Sequence, residues 1–215
     1  MVVVRVVVFG AGGRVGRAVV AEAVARGIEV TAAVRSPGRH ADLAGPGVAL
    51  AACDAADREA VAAVAAGHDA AVGSLYRADV PSVDFYRATT TGLVAGLGLA
   101  GVGRLVSVGV ATTLATAPGV PVHDGTGFPA EYRAFSLGHS AALEVLSEAP
   151  STLDWVVVTP PMELGHDGAR TGRYRIGGPV LPEGGGWISH ADLALAVVDE
   201  VTRPAHHREQ VSVWA

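Results

Sequence analysis

MVVVRVVVFGAGGRVGRAVV, residues 1–20, decides the fold of this chain. Residues 2–9 are almost entirely apolar, glycines follow at 10, 12, 13 and 16, and a helical pattern resumes at once. The apolar segment is short, and the glycines occupy the place where a signal peptide would need its small-residue cleavage site. We therefore predict a buried strand that leads into a glycine turn and a helix, and not a secretory signal.

The spacing of these glycines is typical of a turn that binds a pyrophosphate. They fit both G-x-x-G-x-x-G and G-x-G-x-x-x-G. Gly10 would let the strand turn sharply, and Gly16 would let the helix pack on the sheet. Gly12 and Gly13 would let the backbone approach the phosphates, which the helix N-terminus attracts with its N–H groups and positive dipole end. A glycine-rich turn without a ligand is the alternative.

The composition predicts one folded domain over residues 1–215. Half of the residues are apolar, 17% are charged and the net charge is −5, which argues mildly against nucleic-acid binding.

Cys53 is the single cysteine, so an internal disulfide and a cysteine-based zinc site are excluded. No metal site is predicted, and a reducing cytoplasm is the simplest location. All sixteen basic residues are arginine, which excludes a Schiff base and a P-loop lysine. The uncharged stretches 88–103 and 105–122 contain glycine, threonine or proline, and neither is predicted to cross a membrane.

Apolar runs alternate with helical patterns up to residue 159. Runs rich in valine and alanine without polar alternation predict strands buried on both faces, as in a parallel sheet covered by helices. The chain is therefore predicted to be an α/β, Rossmann-type, doubly wound parallel sheet in three layers. The predicted strands are 2–9, 28–34, 48–53, 69–73, 104–109 and 153–159, and the predicted helices are 13–26, 57–66, 82–100 and 130–149.

The pattern changes after residue 159. Two prolines end the strand, and 160–188 is predicted to be an irregular, glycine-rich segment that covers the substrate site. A last helix is expected to begin at Ser189, with Asp192 as the reciprocal capping partner, and to end near 203–204. Residues 210–214 are predicted to form a last strand, and His206 and His207 to be exposed.

The end of the second strand favours NADP over NAD. An NAD site usually has Asp or Glu there to hold the ribose 2′-hydroxyl, but this strand ends at Val34-Arg35 and Glu29 lies at its other end. Arg35 can pair with a 2′-phosphate, and Arg14 and Arg39 could add positive charge. The alternative is that these arginines are solvated loop residues.

Two further predicted strands end on the same edge of the sheet, where ligands bind in open α/β sheets. Asp54 follows the third strand and could accept a hydrogen bond from an adenine amino group. An N-cap or turn role ahead of the helix at 57–66 is its alternative. Gly73 and Ser74 follow the fourth strand in the same way.

Eight segments together resemble one known family. They are GAGGRVG, AAVRSPGR, AACDAAD, GHDAAVGS, GVGRLVSVGVATTL, LDWVVVTPPMEL, RTGRYRIGG and ISHADLALAVVDEV. They are similar to the atypical short-chain dehydrogenase/reductases with an NAD(P)H-binding domain, a group that includes NmrA-like proteins, flavin reductase/biliverdin reductase B-like enzymes and NADH-flavin reductases. The resemblance covers nearly the whole chain and implies the fold and an NADP(H) cofactor, but no particular substrate.

The resemblance also implies a role for each matching residue. The pyrophosphate would be held by Gly10, Gly13, Arg14, Val15 and Gly16. The 2′-phosphate would be held by Arg35, the adenine would lie by Asp54, and the adjoining ribose would be bordered by Gly73, Ser74 and Leu75. The nicotinamide end would lie over residues 107–110, which include Val108 and Gly109. The nicotinamide and substrate pocket would be lined by Pro160, Pro161 and Met162.

One departure from the family concerns the proton. Typical short-chain dehydrogenases carry Tyr-x-x-x-Lys on the helix after the fifth strand, where the lysine lowers the tyrosine pKa. Here the region reads EYRAFSLGHSAALEVL, and Tyr132 is followed four residues later by Ser136. Tyr132 and His139 are predicted to share one helical face, although His139 could be an ordinary surface histidine. The candidate proton-handling residues are Thr112, Thr113, His123, Tyr132 and His139.

Residues 118–129 are predicted to form a lid or binding loop, because irregular segments of this length in a compact domain are usually functional. Phe128 and Phe135 could supply an apolar wall for a flat substrate. Substrate contacts are predicted from Thr112, His123, Phe128 and Met162. A surface loop packed by its prolines is the alternative.

The leading hypothesis is an NADPH-dependent reductase that transfers a hydride from nicotinamide C4 to a small conjugated or aromatic acceptor such as a flavin, quinone, enone or ketone. A non-redox, isomerase-like enzyme that retains the dinucleotide stays open because the lysine is missing. An NADP-binding redox sensor that regulates a partner is disfavoured by the small size of the chain. The expected partner is a small molecule, and the chain is expected to be a monomer or a homodimer.

Overall fold

Strands and helices alternate in the computed structural model, which describes residues 4–117, 119–165, 169–184 and 186–215. Parts of the predicted strand 2–9, loop 118–129 and irregular segment 160–188 lie outside the described residues. In chain order the elements are β1 (Arg5–Phe9), α1 (Arg14–Ala25), β2 (Glu29–Val34), β3 (Val48–Ala52), α2 (Arg58–Ala65), β4 (Ala70–Gly73), α3 (Ser82–Ala100), β5 (Arg104–Val108), β6 (Ala115–Ala117), β7 (Val120–Pro121), α4 (Ala130–Ser147), β8 (Asp154–Thr159), β9 (Glu163–Gly165), β10 (Arg175–Gly177), β11 (Trp187–Ser189), α5 (His190–Thr202) and β12 (Glu209–Trp214).

Eight strands form one sheet in the order β10-β12-β8-β5-β4-β1-β2-β3. Neighbouring strands in it are parallel except β10, which pairs antiparallel with β12. The strand order runs outward from β1 in both directions, so the predicted doubly wound arrangement is confirmed. In such sheets a ligand binds beyond the carboxyl ends of the strands where the order reverses. Here that place lies between the ends of β1 and β4.

The apolar run of β1 is explained by helices on both faces of the sheet. Val6 and Val8 lie in the core formed with α1 and α5, whereas Val7 and Phe9 lie in the core formed with α2, α3 and α4. Each of these four side chains is at most 1% exposed. Burial of a valine contributes about 1.5–3 kcal/mol, and successive side chains of a strand point to opposite faces. A central strand between two cores therefore needs apolar residues at every position.

The seven strands predicted for the sheet and the five predicted helices are all present, with ends that differ by a few residues. The eighth sheet strand, β10, and the pair β9–β11 form inside the segment that was predicted to be irregular. Each has only three residues and pairs with a strand that is distant in sequence. Such strands form because tertiary contacts favour them, and no local pattern marks them.

The cap of α5 corrects one prediction. Ser189 Oγ accepts a hydrogen bond from the Asp192 backbone N–H at 3.0 Å, as expected. The Asp192 carboxylate does not accept the Ser189 backbone N–H; it accepts the Ser189 hydroxyl at 3.2 Å and the backbone N–H groups of Thr171 and Gly172 at 2.9–3.1 Å. The buried carboxylate therefore ties the segment before β10 to the start of α5.

The opposite edge of the sheet carries a buried ion-pair network. Arg104, at the start of β5, is 7% exposed and donates to Glu200 Oε2 at 2.8 Å and to Asp154 Oδ2 at 2.7 Å. The Nδ1 atom of His206 lies 2.7 Å from Glu200 Oε1. The side chain of His206 is half-buried, and the expectation that it is exposed is wrong. His207 is exposed as expected. This network lies at the other end of the strands from the place where the strand order reverses. It holds the segment that follows α5 against the start of β5.

Candidate functional site

The glycine turn joins the ends of three strands. Gly10 has φ +80°, and a side chain there would overlap the carbonyl oxygen of Ser74 at the end of β4. A side chain at Gly16 would overlap the carbonyl of Gly10. The Gly10 N–H donates to Ala33 in β2 at 3.2 Å, and the Ser74 N–H donates to Phe9 at 2.9 Å. Packing therefore requires glycine at positions 10 and 16.

Gly13 is different, because the protein leaves space around it. An added Cβ would approach only the Gly10 carbonyl, at 3.4 Å, which is an ordinary contact. Gly13 is the N-cap of α1, and the first turn of that helix carries no acidic side chain. A helix N-terminus with this donor set favours an anion. The turn fits the pyrophosphate of a dinucleotide, with Arg14 and Val15 beginning the helix beside it.

A cavity of about 270 Å³ adjoins the turn, and we call it the outer cavity. It contains several residues that the sequence assigned to the adenosine half of a dinucleotide. Its lining includes Gly10, Gly12, Gly13, Arg35, His40, Asp54, Ser74, Leu75, Tyr76, Phe85 and Thr89. The structure thus brings Arg35 and Asp54 to the same cavity as the glycine turn.

The predicted arginines occupy different places around this cavity. Arg35 directly follows β2 and is exposed. The pKa of Asp79 is lowered to about 2, mainly by a hydrogen bond from Arg77, and the charge of Arg35 adds to this effect. Arg14 is exposed at the start of α1. Arg39 ends a short 3-10 turn with its side chain in solvent. Of the three, Arg35 has its place in the cavity lining.

Asp54 forms a turn and lines the cavity at the same time. Its Oδ1 accepts the Ala56 N–H at 3.0 Å. The N-cap of α2 is Asp57, whose side chain accepts the N–H groups of Glu59 and Ala60. The turn role considered as an alternative for Asp54 is therefore present, and its adenine role stays a prediction.

His40 is a cavity residue that the sequence analysis missed. Its ring lies against Gly12, where an added Cβ would come within 2.5 Å of the ring Cε1. Nδ1 of His40 lies 3.4 Å from Nη2 of Arg17, which also binds Asp42. A single histidine in an irregular turn between β2 and β3 has no periodic signal. Only the tertiary contact with Gly12 places it beside the glycine turn.

A second, smaller cavity of about 30 Å³, which we call the inner cavity, lies at the ends of β4, β5 and β8 beneath α3 and α4. It brings together five residues that the sequence placed near the nicotinamide or the proton, and it shares Leu75 and Thr89 with the outer cavity. The two cavities therefore adjoin each other along the strand ends. The five residues are Ser107, Val108, Gly109, Thr113 and His139.

His139 is the titratable side chain at the base of the inner cavity. It is 8% exposed, and its ring centroid lies 4.1 Å from that of Tyr86 and 4.8 Å from that of Phe135. Burial lowers the pKa of His139 to about 3. The ring is therefore neutral near pH 7, and the surface-histidine alternative does not apply.

Tyr132 lies in different surroundings from His139. It is 60% exposed in the first turn of α4, roughly 10 Å along the helix axis from His139. Ser136, between them, is fully buried and donates its hydroxyl to the Tyr132 carbonyl at 3.0 Å. The structure does not place Tyr132 in the lining of the inner cavity, and its role as a proton donor stays a prediction.

The hydroxyl of Thr113 is held from two sides. It donates to the Val110 carbonyl at 2.8 Å and accepts a bond from Gln210 Nε2 at 2.8 Å. The same amide nitrogen of Gln210 donates to Thr159 Oγ1 at 3.0 Å. Because its proton is already engaged, the geometry of Thr113 favours positioning of the strand ends.

The loop before α4 is fixed to the site by His123 and Arg133. His123 is 3% exposed, and its Nδ1 lies 2.7 Å from the carbonyl oxygen of Thr112, to which it donates. Arg133 donates to the carbonyl of His123 and to Asp124 Oδ1. Within the described residues, Thr112 Oγ1 is buried without a hydrogen-bond partner.

The remaining predicted residues divide between core and surface. Pro160 is buried after β8, Phe128 is half-buried, and Met162 is 54% exposed.

A larger cavity of about 1350 Å³ lies away from the turn, between α1, α5 and the segment 170–175. Its carboxylates are paired with its own arginines, as in the Glu22–Arg170 contact at 2.9 Å. We place the functional site at the outer and inner cavities.

Comparisons with known proteins show the family and the fold of this chain. A family model described as NAD(P)H-binding matches residues 10–204. The uncharacterized protein YwnB of Bacillus subtilis strain 168 is 32% identical over 213 residues, which are 96% of each chain. A Burkholderia pseudomallei structure, provisionally described as an exported protein, has a TM-score of 0.87 and 35% identity and covers 99% of this chain and 100% of its own. A Streptococcus pneumoniae structure with the provisional name NADH-flavin reductase has a TM-score of 0.84 and 28% identity, over 98% of this chain and 99% of its own.

Two searches of the described residues complete the description of the site. Every helix among them is too short or too polar to span a lipid bilayer. In the same part of the chain, His, Cys, Asp and Glu side chains form no group of three or more that could hold a metal ion.

Proposed function

We propose that this protein, which belongs to the NAD(P)H-binding family, is an NADPH-dependent reductase of a small conjugated or aromatic acceptor such as a flavin, quinone, enone or ketone. The observation that carries the proposal is the pair of adjoining cavities, with the glycine turn at one and His139 at the other. A dinucleotide bound along this edge would bring its nicotinamide to the inner cavity. A nicotinamide cofactor and a reductase-type role follow from the family and from the name of the Streptococcus pneumoniae relative.

The preference for NADPH rests on the charges at the end of β2. Glu29 lies at the other end of that strand and pairs with Arg5 Nε at 3.1 Å, so it is not available to a ribose 2′-hydroxyl. Arg35 lines the outer cavity at the correct end. A guanidinium binds a phosphate through two parallel hydrogen bonds, which supports selection of the 2′-phosphate.

The acceptor would bind beside the inner cavity, whose volume of about 30 Å³ is too small to admit it. When bound, the reduced dinucleotide supplies the hydride. Tyr86 and Phe135 offer ring faces and edges to a flat molecule, and Tyr86 is held by a hydrogen bond from its hydroxyl to the Leu75 carbonyl at 3.0 Å. The site would exclude water by these rings and orient the acceptor beside the strand ends.

His139 would act as a neutral hydrogen-bond donor. Since burial lowers its pKa to about 3, it carries one proton on its ring at neutral pH and not two. That N–H group can polarise an acceptor oxygen without introducing a buried charge. Tyr132, at the exposed start of α4, remains the candidate for proton delivery from solvent.

Thr113 would position the site and not react. Its bonds with Val110 and Gln210, and the bond from Gln210 to Thr159, join the ends of β5 and β8 to the start of β12. A fixed set of strand ends would hold the nicotinamide and the acceptor in a reactive orientation. Positioning of this kind accounts for a large part of many enzymatic rates.

The proposal is tested by NADPH binding and by NADPH oxidation with a panel of quinones, flavins, enones and ketones. We expect NADPH to bind and at least one acceptor class to be reduced. Tight binding of NADPH without oxidation by any acceptor would contradict the reductase and favour a non-redox enzyme or a sensor. If NADPH neither binds nor is oxidised, the proposed dinucleotide site is wrong.

A further inference from the structure

His40 lies beside the glycine turn, in the lining of the outer cavity. It follows the 3-10 turn Pro37–Arg39, and its ring lies against Gly12 of the glycine turn. An added Cβ at Gly12 would lie 2.5–2.8 Å from Cε1, Nε2 and Nδ1 of the ring, so the Cε1 edge points at Gly12. His40 and Arg35 line the same outer cavity.

The protonated nitrogen of His40 follows from its neighbour. Nδ1 lies 3.4 Å from Nη2 of Arg17, and a guanidinium has only donors. Nδ1 must therefore accept, and in the neutral ring the proton resides on Nε2. The two nitrogens lie on either side of Cε1, so the Nε2–H bond points away from Nη2 of Arg17.

Arg17 is itself held in place. Its Nη1 and Nη2 donate to the two carboxylate oxygens of Asp42 at 2.5 and 3.3 Å, and its Nε donates to the Gly12 carbonyl at 3.2 Å. Three fixed bonds on one guanidinium leave it little freedom to rotate. Arg17 and Asp42 are therefore positioning residues, since they set both the place and the tautomer of His40.

We propose that His40 is a specificity-determining residue whose Nε2–H donates a hydrogen bond to the 2′-phosphate of the adenosine ribose, opposite Arg35. This inference rests on the proposed NADPH-dependent function. A hydrogen bond to a charged group contributes about 1.5–3 kcal/mol, which corresponds to roughly 10–100-fold in affinity. NADH lacks the phosphate and does not make the bond.

The test is calorimetric titration of wild type, His40→Ala and His40→Gln with NADPH, NADH and adenosine 2′,5′-bisphosphate. We expect His40→Ala to weaken NADPH and the bisphosphate at least about 10-fold and to leave NADH within about 2-fold. His40→Gln, whose side-chain amide can donate, should recover part of the loss. His207→Ala is the control, because His207 lies exposed at the opposite edge of the sheet.

The outcomes separate this inference from the proposed function. If wild type binds NADPH no more tightly than NADH, the proposed NADPH preference is wrong, and so is the proposed role of His40. If wild type prefers NADPH and His40→Ala keeps the same preference, only the role of His40 is overturned. Equal weakening of NADPH and NADH in His40→Ala also overturns it, because the residue would then support the pyrophosphate or the fold.

Discussion

The ring of His139 stacks against the ring of Tyr86 with their centroids 4.1 Å apart and the planes tilted by 40°. Tyr86 comes from α3 and His139 from α4, so this contact joins the two helices directly beneath the strand ends. Burial raises the pKa of Tyr86 and lowers that of His139, and both effects favour the neutral forms. The base of the inner cavity is therefore uncharged, which suits a neutral, flat acceptor.

Replacement of His139 should affect turnover more than dinucleotide binding. His139→Phe keeps an aromatic ring against Tyr86 but removes the ring N–H, and we expect kcat/KM for the acceptor to fall by about 10–1,000-fold. The Kd for NADPH should stay within about 2-fold, because the glycine turn is untouched. Steady-state NADPH oxidation and titration measure the two effects.

A second variant on the same helix, Tyr132→Phe, tests the proposed proton delivery from solvent. A smaller loss than in His139→Phe is expected there, because water can replace an exposed hydroxyl. Unchanged turnover in His139→Phe would remove His139 from the mechanism.

The buried His139 should also make folding stability depend on pH. Its pKa is about 3 in the folded protein and about 6.5 in an unfolded chain. Between these values the unfolded state binds more protons, so the free energy of unfolding falls as the pH falls, by at most about 1.4 kcal/mol per pH unit.

Urea unfolding of wild type and His139→Phe at several pH values between about 4 and 7 tests this. The stability of wild type should fall more steeply toward acid than that of the variant. Parallel curves for the two proteins would mean that His139 is not buried as a neutral ring.

Gly13→Ala should separate ligand binding from folding. Since an added Cβ meets only the Gly10 carbonyl at 3.4 Å, we expect the free energy of unfolding to change by less than about 1 kcal/mol. The methyl group would occupy the space above the helix N-terminus, and the NADPH Kd should rise at least about 10-fold.

Gly10→Ala is the comparison variant, because it combines φ +80° with overlap on Ser74 and should impair folding itself. Normal NADPH affinity in a folded Gly13→Ala protein would place the pyrophosphate elsewhere.

Glu200→Ala should destabilise the protein without changing the site. It leaves Arg104 buried with one of its two carboxylate partners, and loss of a partner in a buried pair costs about 3–5 kcal/mol. Glu59→Ala is the control, because its pair with Arg58 is exposed and should contribute little. Thermal unfolding measures both, and equal stability of the two variants would show that the network is dispensable.

The sequence predicted the sheet well because its information is local. A central strand between two cores must be apolar throughout, and the run before Gly10 satisfies that rule. The glycine turn, Arg35 and the strand ends at Gly73 and Val108 lie at one edge for the same reason, since parallel strands bring their carboxyl ends together.

The surroundings of single side chains could not be predicted in this way. Helical spacing put Tyr132 and His139 on a common face, but only the packing of α4 on α3 decides that one is exposed and the other buried. His40 depends on a contact with Gly12 across the site. The strands β9 to β11 depend on partners far along the chain.

The central claim is hydride transfer from the nicotinamide to an acceptor. Its most direct test is a single-turnover reaction with NADPH that carries two deuterium atoms at C4 and an enone or ketone acceptor, whose new C–D bond does not exchange with water, followed by mass spectrometry of the product. We predict that deuterium appears in the reduced acceptor and that NADPH is consumed in equal amount. A converted substrate that contains no deuterium, with the NADPH intact, would contradict the account.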